Sequence, residues 1–187
     1  DSVKADEENE SLVLTDTLVR EFLFEDFEDS SFAWYVSYSE YATASLERVE
    51  AGEGREGMAA HFTSQNDSVG GWALMGHYLG KEVDLSALDS VSFWVRGSVD
   101  NYISFAFDVL ADSTSAYTSG KSWIHIDVPS EWSRIVVTPD SLLAADSIGG
   151  NIGWDAIKDH VTNLSIFGGK DGEFWIDEIV FYGVDWE

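Results

Sequence analysis

The chain has 187 residues, 44% of them hydrophobic and 14% aromatic, which suits one domain with a packed core. Its 35 acidic residues outnumber its 10 lysines and arginines, and the net charge of −25 argues against nucleic acids and anionic membrane surfaces as partners. No apolar run is long enough to span a bilayer, and the absence of cysteine excludes disulfides and thiolate metal sites.

The elements along the chain are predicted to be almost entirely strands. Residues 1–19 are acidic and lack apolar periodicity, which indicates a solvated tail or linker before a domain over residues 20–187. In that domain, alternation of apolar and polar side chains predicts strands over 20–28, 44–49, 58–63, 72–79, 91–97, 102–109, 123–128, 133–138, 163–167 and 173–183. An aromatic loop is expected over 30–39, a glycine-rich turn over 50–57, and short helical turns over 141–145 and 154–159. Short strands without a long amphipathic helix predict an all-β antiparallel β-sandwich.

The last strand contains an acid in an apolar setting. Asp177 is costly to bury alone, and the first strand ends in an acidic segment that includes Glu28. If the first and last strands pair, a hard cation would relieve the repulsion between these acids. Glu28 and Asp177, with oxygens from the turn between Glu53 and Glu56, make a plausible calcium cage, and the alternative is a solvated acidic edge.

Several strands place distinctive side chains on the face away from the core. Flat aromatic rings suit the C–H faces of sugars, and planar polar groups suit pairs of hydroxyls. The outward positions hold Asp108, Trp123, His125 and Asp127, joined by Trp72 or His77. This row indicates a glycan-binding surface; the alternative is that Trp123 and His125 pack under a loop.

Trp94, Arg96 and Trp175 are expected on the opposite sheet, with Arg96 stacked on Trp94 as a cation–π pair. A structural role, or a contact to another domain, explains them better than a glycan site.

The order of motifs resembles a known family. The motifs are Asp26-Phe27-Glu28, Glu56-Gly57-Met58, Gly71-Trp72, the strand from Leu88 to Val95, the strand from Trp132 to Val137, and Trp175-Ile176-Asp177-Glu178-Ile179. Over residues 22–183 the chain resembles the jelly-roll carbohydrate-binding modules with a galactose-binding-like fold, and it is most similar to family 11, whose members bind β-glucans.

The resemblance implies a two-sheet jelly roll with a glycan cleft on its concave face and structural calcium. Tyr38 stands where the family has a cleft tyrosine, and the strand that opens with Gly71-Trp72 supplies another aromatic residue. Residues 142–146 lack the arginine and tyrosine of the corresponding family loop, and Phe167 or Gly168 replaces the tyrosine of the penultimate strand. A β-1,3-1,4-glucan specificity therefore does not carry over.

We expect a non-catalytic module that binds plant cell-wall polysaccharide, either β-glucan or cellulose-like chains, and targets an attached enzyme. We expect it to be a monomer from a bacterial extracellular or cell-surface protein. The sequence has no Gly-x-Ser-x-Gly, His-Glu-x-x-His or phosphate-binding glycine loop. The alternatives are a structural or adhesion module, or a jelly-roll glycoside hydrolase or lyase.

Overall fold

The computed structural model describes residues 19–66, 69–98, 101–111, 119–142 and 152–186. The predicted acidic tail lies outside the described residues except for Val19, and so does most of the predicted helical turn over 141–145. The strands are β1 (Glu21–Glu25), β2 (Tyr35–Tyr38), β3 (Ala42–Glu50), β4 (Met58–Asn66), β5 (Ala73–Val83), β6 (Ser90–Gly97), β7 (Tyr102–Val109), β8 (Gly120–Asp127), β9 (Ser133–Val137), β10 (Val161–Gly168) and β11 (Glu173–Tyr182). Two short 3-10 helices span Pro139–Leu142 and Trp154–Ala156.

The strands form two antiparallel sheets, so the predicted β-sandwich is confirmed. The five-stranded sheet has the order β2-β5-β10-β7-β8. The six-stranded sheet has the order β3-β4-β11-β6-β9, with β1 also paired to β11. The expected pairing of the first and last strands is therefore correct.

The aromatic segment over 30–39 is not only a loop, since its second half forms the edge strand β2. Tyr35 pairs with Gly76 and Tyr38 with Ala73 in the antiparallel register of β2 and β5. Four residues are too few for a distinctive alternation, so this strand is defined by pairing with β5 rather than by its own pattern.

Aromatic side chains join the two sheets. Phe93 of β6 stacks on Phe105 of β7 with ring centroids 5.2 Å apart, and Phe107 meets Phe181 of β11 edge-on at 6.0 Å. All four are fully buried, and the inward parity of β6 and β7 predicts this for Phe93, Phe105 and Phe107. This core covers one face of the five-stranded sheet, and the other face remains for a site.

Candidate functional site

A groove of about 930 Å³ crosses the outer face of the five-stranded sheet. Side chains two residues apart on a strand share a face, and the antiparallel register aligns them into rows across the strands. One row consists of Tyr78, Asn163, Asp108 and Lys121. The next consists of Gly76, Ser165, Ala106 and Trp123, with Tyr35 of β2 opposite Gly76.

The floor of the groove is a hydrogen-bonded polar network. Asn163 donates from Nδ2 to Asp108 Oδ2 at 2.8 Å and to Ser165 Oγ at 2.9 Å. The Ser165 hydroxyl also donates to Asp108 Oδ2. Tyr35 donates from its hydroxyl to Asn163 Oδ1 at 3.2 Å. These bonds fix the orientation of the carboxylate and amide, which is the condition for recognising hydroxyl groups in defined directions.

Asp108 is only 5% exposed. Burial raises the pKa of its carboxyl, while the bonds from Ser165 and Asn163 and the charge of Lys121 act in the opposite direction. The ammonium of Lys121 lies 4.8 Å from the ring centroid of Phe167, so its aliphatic chain lies along the groove.

Aromatic rings bound both sides of this floor. At the β2–β5 side, Tyr35 and Tyr78 stack with centroids 4.6 Å apart, and burial raises the pKa of Tyr35 to about 12. Trp72 lines the same side and is 42% exposed. Exposed ring faces of this kind match the apolar faces of sugar rings.

At the β7–β8 side, Trp123, His125 and Tyr102 line the groove. His125 lies 4.1 Å from Tyr102 and meets Trp123 edge-on at 6.3 Å, measured between ring centroids. His125 Nδ1 also lies 3.3 Å from the Ser104 hydroxyl. The groove thus has aromatic walls at both ends of a polar floor.

Four of the predicted ligand residues line the groove together: Trp72, Asp108, Trp123 and His125. Asp127 does not line it: it is the last residue of β8 and is exposed, although its partner across the strands, Tyr102, does line the groove. Tyr38 is also outside it. Tyr35 and Ser37 face the groove from β2, and because side chains alternate along a strand, Tyr38 faces the other way.

His77 is half-buried on the face of β5 opposite the groove, so its expected place in the groove is wrong. Its ring packs edge-on against Phe24 at 5.1 Å and Trp34 at 5.2 Å, measured between centroids. Burial lowers the pKa of His77, which favours the neutral imidazole. Its neighbour Tyr78 takes the groove position instead.

Tyr35, Tyr78, Tyr102, Asn163 and Ser165 were not anticipated as site residues. The alternation along β5 and β10 could have indicated some of them. Tyr78 lies on the same face as Trp72, and Asn163 lies on the same face as Ser165. Which of the two alternating sets of side chains faces the groove depends on how the sheets pack. The sequence pattern does not specify that packing.

The structure does not assemble the predicted calcium cage. Asp177 is buried, but Arg55 donates to its carboxylate from Nε and to the adjacent Glu178 from Nη2. Burial raises the pKa of Asp177, while Arg55 acts to lower it. In this structure the Arg55 guanidinium supplies the counter-charge to Asp177. Calcium binding stays a prediction.

The other proposed calcium ligands also have different surroundings. Glu28 is exposed and accepts the Met58 N–H at 2.8 Å. Glu53 and Glu56 are exposed in the turn after β3. Arg48 donates from Nε to the Phe27 carbonyl at 2.5 Å and from Nη2 to the Glu28 carbonyl at 2.7 Å. Across the described ranges, no group of three or more His, Cys, Asp or Glu residues is arranged to hold a metal ion.

The outer face of the six-stranded sheet carries arginines stacked on tryptophans. Arg96 lies over Trp175 at 4.1 Å and near Trp132 at 5.5 Å, measured to ring centroids. The expected pairing of Arg96 with Trp94 is wrong, because Arg55 covers Trp94 at 4.9 Å. These tryptophan faces are occupied by the protein's own cations, which fits a structural role.

Comparison with solved structures defines the class of fold as that of the β-sandwich carbohydrate-binding modules, which confirms the predicted jelly roll. The chain superposes on the family 11 module of a cellulosomal cellulase of Clostridium thermocellum with a TM-score of 0.68 and 19% identity, covering 89% of this chain and 96% of the module.

Two further structures support the same class. A family 11 module of that organism in complex with a β-1,3-1,4-mixed-linked tetrasaccharide has a TM-score of 0.68 at 19% identity, with 88% and 96% of the two chains covered. The family 30 module of another cellulosomal cellulase of C. thermocellum has a TM-score of 0.59 at 14% identity, with 86% and 97% covered. At these identities the similarity establishes the fold.

No protein-family model matches the sequence, and no curated protein is similar enough to match it. Within the described part of the chain, no helix has the length and hydrophobicity needed to cross a membrane.

Proposed function

We propose that this chain binds polysaccharide without catalysis in the groove on the five-stranded sheet. The observation that supports this most strongly is the arrangement of Tyr35, Tyr78 and Trp123 around the Asp108–Asn163–Ser165 network. Sugar rings stack on the aromatic faces, and their hydroxyls bond to the fixed polar groups.

The charge of the chain favours a neutral polymer. At −25, the molecule repels uronate-rich or sulfated chains, whereas β-glucan and cellulose-like chains carry no charge. Plant cell-wall β-glucan or cellulose-like chains are therefore the substrate class that we propose.

The groove favours binding over hydrolysis. Glycoside hydrolysis generally requires two carboxyl groups that flank the scissile bond. Among the described lining residues, Asp108 is the one acid, and it is held by Asn163 and Ser165. A single carboxyl group whose Oδ2 already accepts two hydrogen bonds can orient a ligand but does not provide the acid–base pair.

We further propose that the chain is a monomeric module of a bacterial extracellular or cell-surface protein that holds an attached enzyme near its polysaccharide. Its contribution would be a higher effective concentration of substrate at that enzyme.

Native affinity electrophoresis tests this function. The domain is run through gels containing barley β-glucan, xyloglucan, xylan, glucomannan or pectin, with an insoluble-cellulose pull-down alongside. We expect retardation in a neutral glucan, which Trp123→Ala should abolish. Trp132→Ala, which removes a half-buried tryptophan from the opposite sheet, is the control and should still be retarded. Unchanged mobility of the wild type in every gel, with no pull-down, would refute glycan binding and favour the adhesion alternative.

A further inference from the structure

Gly76 lies in the middle of β5, where glycine is unfavourable because it packs no side chain and loses much conformational entropy. Its backbone is not left-handed, so conformation does not require glycine here. The remaining explanation is space, because glycine in a strand often marks the close approach of another group.

The group that approaches is Tyr35. A Cβ atom added at Gly76 would lie 2.4 Å from Tyr35 Cζ, 2.5 Å from its hydroxyl oxygen and 2.9 Å from Cε1. Separations this short do not occur between non-bonded carbon atoms, so the ring would have to move. The tip of Tyr35 thus occupies the volume that any side chain at position 76 would fill.

Tyr35 cannot move without losing its own contacts. Its hydroxyl bond to Asn163 connects it to the polar floor, and its ring stacks on Tyr78. Moving the ring off Gly76 would break the bond to Asn163 and disturb the stack on Tyr78.

We infer that Gly76 is a specificity-determining position that seats Tyr35 and thereby sets the depth of the groove. This inference rests on the proposed function. With Tyr35 seated on Gly76, the small side chains of Ser165 and Ala106 form a low trough between Tyr35 and Trp123. An unbranched sugar chain can lie across the strands along this trough, between the two aromatic walls.

A double-mutant cycle tests the inference with Gly76→Ala, Tyr35→Ala and the two combined. We expect each single variant to bind the retarding glucan about tenfold more weakly, the size typical of losing one stacked aromatic contact. The double variant should bind no more weakly than Tyr35→Ala, because the added methyl then has nothing to displace. Independent, multiplied losses would overturn the inference.

Gly80→Ala is the matched control. It adds the same methyl group to the same strand, but its Cβ meets nothing within 4 Å. Its φ of +76° makes alanine strained there, so it should lower stability while leaving glucan affinity unchanged.

Two measurements need no ligand and separate this inference from the proposed function. Nuclear Overhauser contacts between the Tyr35 and Tyr78 rings should disappear in Gly76→Ala and persist in Gly80→Ala. Gly76→Ala should lower the thermal midpoint when it is introduced into the wild type, but not when it is introduced into the Tyr35→Ala variant. If the wild type binds no glycan, these results still decide whether Gly76 seats Tyr35; persistent ring contacts in Gly76→Ala would refute it.

Discussion

Replacing Arg55 with methionine should destabilise the fold strongly, because Asp177 would be left as an uncompensated buried acid. Arg55 bonds both Asp177 and Glu178 and covers the Trp94 ring. Methionine retains much of the apolar packing of the arginine stem and removes only the charge and the donors. The variant therefore isolates the electrostatic role of Arg55.

The expected loss is about 3–6 kcal/mol at pH 7. Removing one partner of a buried ion pair generally costs about 3–5 kcal/mol, and the Asp177 side chain is 5% exposed. The Glu178 side chain is 46% exposed, so its bond to Arg55 adds about 1 kcal/mol at most. For a domain of this size, the total corresponds to a fall of about 10–20 °C in thermal midpoint.

Chemical unfolding at pH 7 and pH 4 measures this loss, with Arg20→Met as the control. The Arg20–Asp185 pair is exposed on both sides, so its removal should change the free energy of unfolding by about 0.5 kcal/mol or less. Burial raises the native pKa of Asp177. The free-energy cost of leaving this carboxyl buried without Arg55 is therefore absent at acid pH, where the carboxyl is protonated, and grows as the pH rises and it ionises. The deficit of Arg55→Met should therefore shrink at pH 4. A loss at pH 7 no larger than that of the control would refute the reasoning.

Two further predictions concern charge. Chelation with EDTA should leave the thermal midpoint of the wild type unchanged, because Arg55 already supplies the counter-charge to the buried Asp177. A midpoint raised by calcium but not by ionic-strength-matched NaCl would show a structural ion. Asp108→Asn should gain stability relative to the wild type as pH rises from 4 to 7, because a raised native pKa makes the wild type lose stability as Asp108 ionises. Urea unfolding at both pH values measures this difference, and a gain independent of pH would contradict it.

Alternation predicted four of the residues that line the groove, but five others were not predicted. Parity placed Asp108, Trp123 and His125 on the face away from the core, and the structure confirms it. Parity also shows that Trp72 and His77 face opposite ways. It does not show which of them meets the groove, because a shift of one residue exchanges the two faces of a strand.

The choice of which β2 tyrosine lines the groove is limited in the same way. Tyr35 and Tyr38 are three residues apart and therefore lie on opposite faces of β2. Choosing between them requires knowing that the segment is a strand and that Tyr35 pairs with Gly76. Neither fact is local to the segment.

The sequence by itself determined the all-β class and the inward faces of β6 and β7. These follow from short-range alternation and from the burial of apolar side chains. Only the tertiary structure decided that Arg55 forms an ion pair with Asp177 and that the Tyr35 ring packs against Gly76. Both contacts join residues far apart in the chain, and a periodic pattern reports which face a side chain occupies, but not which partner it meets there.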